Sequence, residues 1–335
     1  MKQVNVAILG ATGAVGQEMR KVLQEYNIPV GELRLLASAR SAGEKVMFHD
    51  REVVIQETTD ESFEGMDFVL GAVEGPMSQK FAPAIRKSGA VYIDNSSAFR
   101  LEPDVPLVVP EINGEDALHH NGIIANPNCC TIIALMAVAG IAKISPIKSM
   151  IACTYQAVSG AGQAGLKELE DQMAALAKGE KPEVKTFATQ IALNVIPFID
   201  APYGNDYSKE EMKMQNEGRR IMHSPDLKVN CTCVRVPVMR SHSIAVTLRT
   251  KEKVSVEDAK AAVAAYPGVK LVDDYEGRCY PTPLDTSNQD LVWVGRIRED
   301  LTDEKGLTLW CCGDQIRKGA AANAVQILQF VAEHR

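Results

Sequence analysis

VNVAILGATGAVGQEMRKVLQEY (Val4–Tyr26) sets a strand, a glycine turn and a helix end to end. VNVAIL is apolar almost throughout, as expected of a strand buried on both faces of a parallel sheet. Gly10, Gly13 and Gly16 follow at G-x-x-G-x-x-G spacing and lead into an amphipathic helix. Glycines at this junction allow a tight turn and let backbone N–H groups at a helix start approach a pyrophosphate. Gly10, Thr12, Gly13, Ala14, Val15 and Gly16 are therefore the expected dinucleotide contacts. A glycine triplet alone is weak evidence, but here the strand before it and the helix after it are both present.

Outward from this unit the alternation continues. LRLLAS (33–38), FVLGAV (68–73) and VYIDNS (91–96) read as short apolar strands, with a helix over MSQKFAPAIRKSG (77–89). This pattern predicts a Rossmann-like, doubly wound parallel sheet up to residue 128. After the second strand, ASARSAG (37–43) lacks the acidic residue that accepts from an NAD ribose. Ser38, Arg40 and Ser41 suit a 2′-phosphate instead, so NADP is the expected cofactor.

The turn Asn126-Pro127-Asn128 delivers Cys129 and Cys130 to the start of a long apolar helix. A thiol at a helix N-terminus meets unpaired N–H groups and the positive end of the helix dipole, which favour the thiolate. Neighbouring helix positions point about 100° apart, so both cysteines cannot face one substrate. Beyond them the pattern changes to a strand into a Gly/Ser loop (148–162), helices over 166–179 and 208–222 with Ser208 as N-cap, and alternating strands at 229–238 and 243–251. A helix at 255–265 and two further strands follow. This predicts an α+β domain with a mainly antiparallel sheet over 129–313. Residues 1–128 plus 314–335 form the nucleotide domain, with the last helix returning to it.

Composition narrows the function. The net charge is −7 with no basic run, which argues against nucleic acid. No apolar run approaches the roughly 20 residues that span a bilayer, and the start of the chain enters a strand without a signal-peptide pattern, so a cytoplasmic setting is expected. Eight cysteines without a C-x-x-C pair suggest reduced thiols and no metal site. Cys231 and Cys233 read as small core residues of one strand.

GATGAVG, DNSSAFR (94–100), NPNCCT (126–131), YQAVSGAG (155–162), EEMKMQNE (210–217), CVRVPVMRSHS (233–243) and RKGAAANAVQI (317–327) occur in order along the chain. Together they resemble bacterial aspartate-β-semialdehyde dehydrogenases over essentially the full length. The resemblance implies reduction of β-aspartyl phosphate by NADPH to aspartate semialdehyde and phosphate, on the route to lysine, threonine and methionine. It also implies a homodimer or a tetramer, with 129–313 as the catalytic and dimerisation domain. By the same resemblance Cys129 is the nucleophile that displaces phosphate and forms a thioester. Gln156 orients that intermediate and His242 is the acid/base. Arg235 holds the substrate carboxylate, Arg100 and Lys213 the phosphate, and Glu210 faces the amine. Ser159, Gly162 and Asn323 approach the cofactor. Asn95 and Ser97 could line the anion pocket.

From the residues alone, Glu210 and Lys213 read as a surface ion pair. Arg235 and His242 would lie on opposite strand faces unless a bend at Arg240–Ser241 breaks the register. Gln315 after Asp314, and AVEGPM (72–77), depart from the family pattern. N-acetyl-γ-glutamyl-phosphate reductase is the nearest rival, but its turn usually reads Asn-Pro-Gly-Cys-Tyr. A short-chain reductase needs a helical Tyr-x-x-x-Lys, and the one match, Tyr266 to Lys270, contains Pro267-Gly268.

Overall fold

The computed structural model describes residues 1–334 and divides into two compact units, residues 1–128 with 320–334 and residues 129–319. The first contains β1 (Val4–Leu9), α1 (Ala14–Glu25), β2 (Val30–Ala37), β3 (Lys45–Phe48), β4 (Arg51–Glu57), β5 (Phe68–Gly71), α2 (Gly75–Ser88), β6 (Val91–Asp94), α3 (Pro110–Asn113) and β7 (Ile123–Ala125). The second contains α4 (Cys129–Ile144), β8 (Ile147–Gln156), α5 (Gly162–Ala177), α6 (Lys209–Ile221), β9 (Lys228–Arg235), β10 (His242–Thr250), α7 (Val256–Ala265), β11 (Val269–Leu271), α8 (Pro283–Thr286), β12 (Val292–Glu299) and β13 (Gly306–Gly313). The closing helix, α9 (Ala322–Glu333), belongs to the first unit and packs on α1.

The first unit is built on a seven-stranded sheet in the order β3-β4-β2-β1-β5-β6-β7. All neighbours are parallel except β3 and β4. Val6, Ile8, Leu35, Phe68, Leu70 and Ile93 are buried, along with Val325 and Leu328 of α9, which explains the near-continuous apolar strands. The β3–β4 hairpin escaped the sequence reading. It is an edge, carries an exposed Lys45–Glu52 pair, and so needs no apolar run.

Strand order reverses between β2 and β5 around β1, the point where doubly wound sheets bind ligands. Gly10 leaves β1 there with φ +87°, and a Cβ on it would stand 2.5 Å from the Ala72 carbonyl oxygen. A Cβ on Gly16 would run into the Gly10 carbonyl oxygen and come within 2.9 Å of Ala11 Cα. Gly16→Ala is therefore expected to cost about 1–3 kcal/mol through overpacking and to weaken nucleotide binding. Urea unfolding and nucleotide titration check this; an unchanged midpoint would contradict it.

The second sheet runs β11-β12-β13-β10-β8-β9. The β8–β9 and β11–β12 pairs are parallel and the other three antiparallel, so the sheet is mixed but antiparallel-rich. The reason α4 is apolar all round is that residues 130–141 are buried. It packs against β10, β12, β13, α6 and α7. Ser208 caps α6 as read from the sequence, within a capping box with Glu211. Cys231 and Cys233 are buried, their sulfurs 3.7 Å apart. Tyr266 lies beyond the end of α7 in an extended conformation and Lys270 is in β11, so they form no helical pair. Among the described residues no helix is long and apolar enough to cross a membrane.

Candidate functional site

Three neighbouring strands of the second unit meet at one edge. β8 ends at Gln156, β9 ends at Arg235 and β10 begins at His242. Gln156 pairs in register with Arg235, and Tyr155 with Ser243, so Gln156, Arg235 and His242 form one row across the sheet. All three are buried. The sequence problem of opposite faces disappears because the chain leaves the sheet after Arg235 and re-enters it at His242, so the alternation does not run through 236–241. Ser241, at φ +70°, restarts the alternation, and its N–H donates to Gln315 Oε1 at 2.8 Å.

Cys129 is the first residue of α4 and is half-buried, while Cys130 is buried. The Sγ atoms of both and a ring nitrogen of His242 lie within 4.8 Å of one another. The 100° helical offset therefore does not separate the two sulfurs. It places Cys130 behind Cys129, where its thiol hydrogen-bonds to the Cys129 sulfur. That bond, aided by the nearby His242 ring and opposed by burial and by Glu210, holds Cys129 well below the usual thiol range. Burial and the neighbouring Cys129 push Cys130 well above it. The pair thus consists of one readily ionised thiol and one that stays protonated. Gly319 backs this sulfur: a Cβ there would stand 2.8 Å from Cys129 Cβ. The small residues of RKGAAANAV therefore include one whose size is set by Cys129, a reason the sequence did not reveal.

A charged chain runs from Gln156. Its Nε2 donates to Glu210 Oε1 at 3.2 Å, and Lys213 Nζ donates to Glu210 Oε2 at 2.9 Å and to Asp200 Oδ2 at 2.8 Å. Burial alone would lower the Lys213 ammonium, but Glu210 and Asp200 outweigh it and raise it. The ion pair read from the helix spacing is formed, with Glu210 buried rather than solvated. Arg235 donates to the Ala157 carbonyl at 2.7 Å. Ser159 is held by the Gln315 side chain. Gln315 thus links Ser159 to Ser241, a tie invisible in a sequence where it merely departs from the family pattern. Gly162 has φ +71° and nothing within 4 Å of a Cβ placed on it. His119 and His223 are exposed and His120 is partly so.

In the first unit, Arg100 is buried and donates to the carbonyls of Asn126 at 2.9 Å and Asn95 at 2.7 Å, bracing the turn that leads into α4. Asn323 is wholly buried, and its amide donates to Val108 O at 3.0 Å and Asn126 Oδ1 at 2.7 Å. It braces the same turn. Asn95 donates to the Gly71 carbonyl at 2.8 Å, and Ser97 is exposed. The glycine turn fits a dinucleotide: α1 has Gly13 as its N-cap, with no capping side chain and no acidic residue in its first turn. A Cβ on Gly13 would meet nothing closer than 3.5 Å, so the helix start is open to an anion. Ser38 and Arg40 are exposed after β2, and Ser41 is buried.

A parallel dinucleotide-type sheet and a second unit with a thiol, an imidazole and an arginine on one edge define a nicotinamide-dependent dehydrogenase. Residues 5–120 match the semialdehyde dehydrogenase NAD binding domain, and residues 138–318 the semialdehyde dehydrogenase dimerisation domain. The chain is 48% identical to aspartate-semialdehyde dehydrogenase of Synechocystis over 98% of both chains. It is 46% identical to that of Bacillus subtilis over 97% of this chain and 96% of the relative. The crystal structure of Vibrio cholerae aspartate-semialdehyde dehydrogenase II complexed with ASA superposes with TM-score 0.96 at 43% identity, covering 99% of each chain. The chain belongs to the aspartate-semialdehyde dehydrogenase family. These relatives lend nothing to the N-acetyl-γ-glutamyl-phosphate reductase alternative.

Proposed function

We propose that the protein reduces β-aspartyl phosphate to aspartate semialdehyde and phosphate with NADPH, through a thioester on Cys129. The observation that carries this is the Cys129 sulfur, depressed at the start of α4 beside Cys130 and His242. The thiolate attacks the acyl carbon, phosphate leaves, and one difficult step becomes two. When bound, the nicotinamide supplies the hydride that reduces the thioester. Gln156, anchored on Glu210, orients the acyl group. His242 acts on the sulfur and on the oxyanion. Arg235 takes the α-carboxylate through its bidentate fork. Arg100 and Lys213 serve the phosphate, and Glu210 the amine. The 10–16 turn, Ser159 and Gly162 serve the cofactor.

The test is a phosphate-dependent assay with aspartate semialdehyde, following NADPH absorbance, with mass spectrometry under turnover. An acyl adduct on Cys129 is expected; turnover without one overturns the reading.

NADPH is favoured over NADH because Ser38, Arg40 and Ser41 stand where NAD enzymes carry an acid. Arg40→Ala is expected to reduce the NADPH/NADH preference roughly tenfold or more, the value of a charged hydrogen bond. Steady-state kinetics with both cofactors checks this, and an unchanged ratio contradicts it.

The working form is a homodimer assembled through the outer face of the second sheet. Ile151 there is 61% exposed and Tyr155, which packs on Trp310, is 38% exposed. An apolar sheet face open to water marks an interface. Ile151→Glu is expected to shift the mass measured by light scattering toward the monomer; an unshifted oligomer excludes this face. Eight free cysteines suit the reducing cytoplasm.

A further inference from the structure

We propose that Thr154 aims Gln156: its hydroxyl fixes the Gln156 side-chain amide in one orientation, which leaves one Nε2–H for the acyl oxygen of the thioester. The proposal rests on the reading of Cys129 as the acylated nucleophile and of Gln156 as the residue that orients the acyl group.

Thr154 and Gln156 stand two apart on β8 and so share one face. Thr154 is wholly buried and is flanked in register by Cys233 of β9 and Ile244 of β10, so two strands fix its backbone. A β-branched side chain has little freedom at χ1. Its Oγ1–H donates to Gln156 Oε1 at 2.9 Å. At the other end of the amide, Nε2 donates to Glu210 Oε1 at 3.2 Å. Glu210 is ion-paired with Lys213 and is a carboxylate, which only accepts. The reversed amide would set Gln156 Oε1 against Glu210 Oε1, oxygen to oxygen, so the two orientations are not interchangeable. The second Nε2 hydrogen of Gln156 has no partner among the described residues.

The last torsion of a glutamine is broad, and a single bond to Glu210, on α6, leaves the amide free to turn about that contact. The second bond, at Oε1, removes the freedom. The amide belongs to the row formed by Gln156, Arg235 and His242, and the His242 ring adjoins the Cys129 sulfur. Its spare N–H is thus placed for the acyl group that this sulfur carries. When hydride reaches the thioester carbon, the acyl oxygen becomes an oxyanion. An N–H held in place beforehand stabilises that oxyanion more than it stabilises the carbonyl. Thr154 touches none of the reacting atoms. It acts through Gln156 and is a positioning residue, although in the sequence it reads as an ordinary strand threonine.

The test pairs Thr154→Val, which exchanges the hydroxyl for a methyl of like shape, with Thr154→Ser, which keeps the hydroxyl. In the phosphate-dependent assay Thr154→Val is expected to lose about tenfold in kcat, the value of one hydrogen bond, with KM for aspartate semialdehyde changed by less than about twofold. Thr154→Ser is expected to stay within about threefold of wild type. In a Gln156→Ala background Thr154→Val is expected to cost nothing further, because the residue it aims is gone. A wild-type kcat in Thr154→Val, an equal loss in Thr154→Ser, or an undiminished loss on top of Gln156→Ala overturns the proposal; the last is what a merely structural role gives. The amide itself is read by ¹⁵N NMR of the full-length protein labelled at glutamine, with the Gln156 side-chain signal assigned by its loss in Gln156→Ala. Its amide hydrogens are expected to exchange into deuterium oxide about tenfold faster in Thr154→Val than in wild type. Equal rates refute the positioning role. A protein whose amide responds in this way but which forms no thioester on Cys129 would defeat the proposed function alone.

Discussion

Cys129→Ser is expected to lower turnover by roughly 10⁴-fold or more, the scale on which losing a nucleophile is felt, while NADPH binding changes little. A serine hydroxyl in the same place lacks the depressed acidity of the thiol and stays protonated. The Cys130 thiol can hydrogen-bond a sulfur anion but, kept protonated by burial, offers no thiolate to take the serine proton. Steady-state assays with nucleotide titration separate the two effects, and a variant with near-native kcat would exclude Cys129 as nucleophile. The depressed thiol also has a pH signature. A lowered value keeps the thiolate populated as pH falls through the ordinary thiol range, so iodoacetamide should alkylate Cys129 at an undiminished rate at neutral pH. The rate drops only when the pH passes below the lowered value. Because the bond from Cys130 is the largest cause of the shift, Cys130→Ala is expected to move this profile to higher pH. A profile that stays in place refutes that cause.

Arg235→Ala is expected to reduce kcat/KM for aspartate semialdehyde by about 10²–10³-fold, the cost of losing one partner of a desolvated charge pair. Burial lowers the guanidinium from its usual value and Glu210 works against that lowering, but arginine remains a cation. The side chain is 7% exposed, so its charge acts with little screening from water. Its bond to the Ala157 carbonyl means the variant also loses about 1–3 kcal/mol of stability. The two losses separate with 3-aminopropanal, an aldehyde that keeps the amine but lacks the carboxylate. Wild type and variant should then turn over alike. An equal deficit with both substrates would make Arg235 a structural brace only.

Much of the first unit was legible because its strands are buried on both faces and its glycines obey backbone sterics. Gly10 must tolerate a positive φ and Gly16 must pass a carbonyl, and both demands are local. Ser208 was readable as a cap for the same reason. The β3–β4 hairpin was not, since a solvated edge strand imposes no apolar pattern. In the site, the thiol at a helix start was visible in Asn126-Pro127-Asn128-Cys129. The partnership of Arg235 with His242 was legible only on condition of a break at Arg240–Ser241, and the structure has it: residues 236–241 lie outside the strands and Ser241 has φ +70°.

The sequence by itself determined what is near in the chain: a strand, a glycine turn and a helix for a dinucleotide, a cysteine at a helix start, and ordered motifs that mark the family. Only the tertiary structure decided which hydrogen bonds those residues make. Gln315 reaches Ser159 and Ser241, Gln156 reaches Glu210, Cys130 supports Cys129, and the backbone N–H of Ala157 donates to His242 Nδ1. The physical reason is that hydrogen bonds act over about 3 Å, and apart from the Cys129–Cys130 neighbours these partners are brought within that reach only by folding.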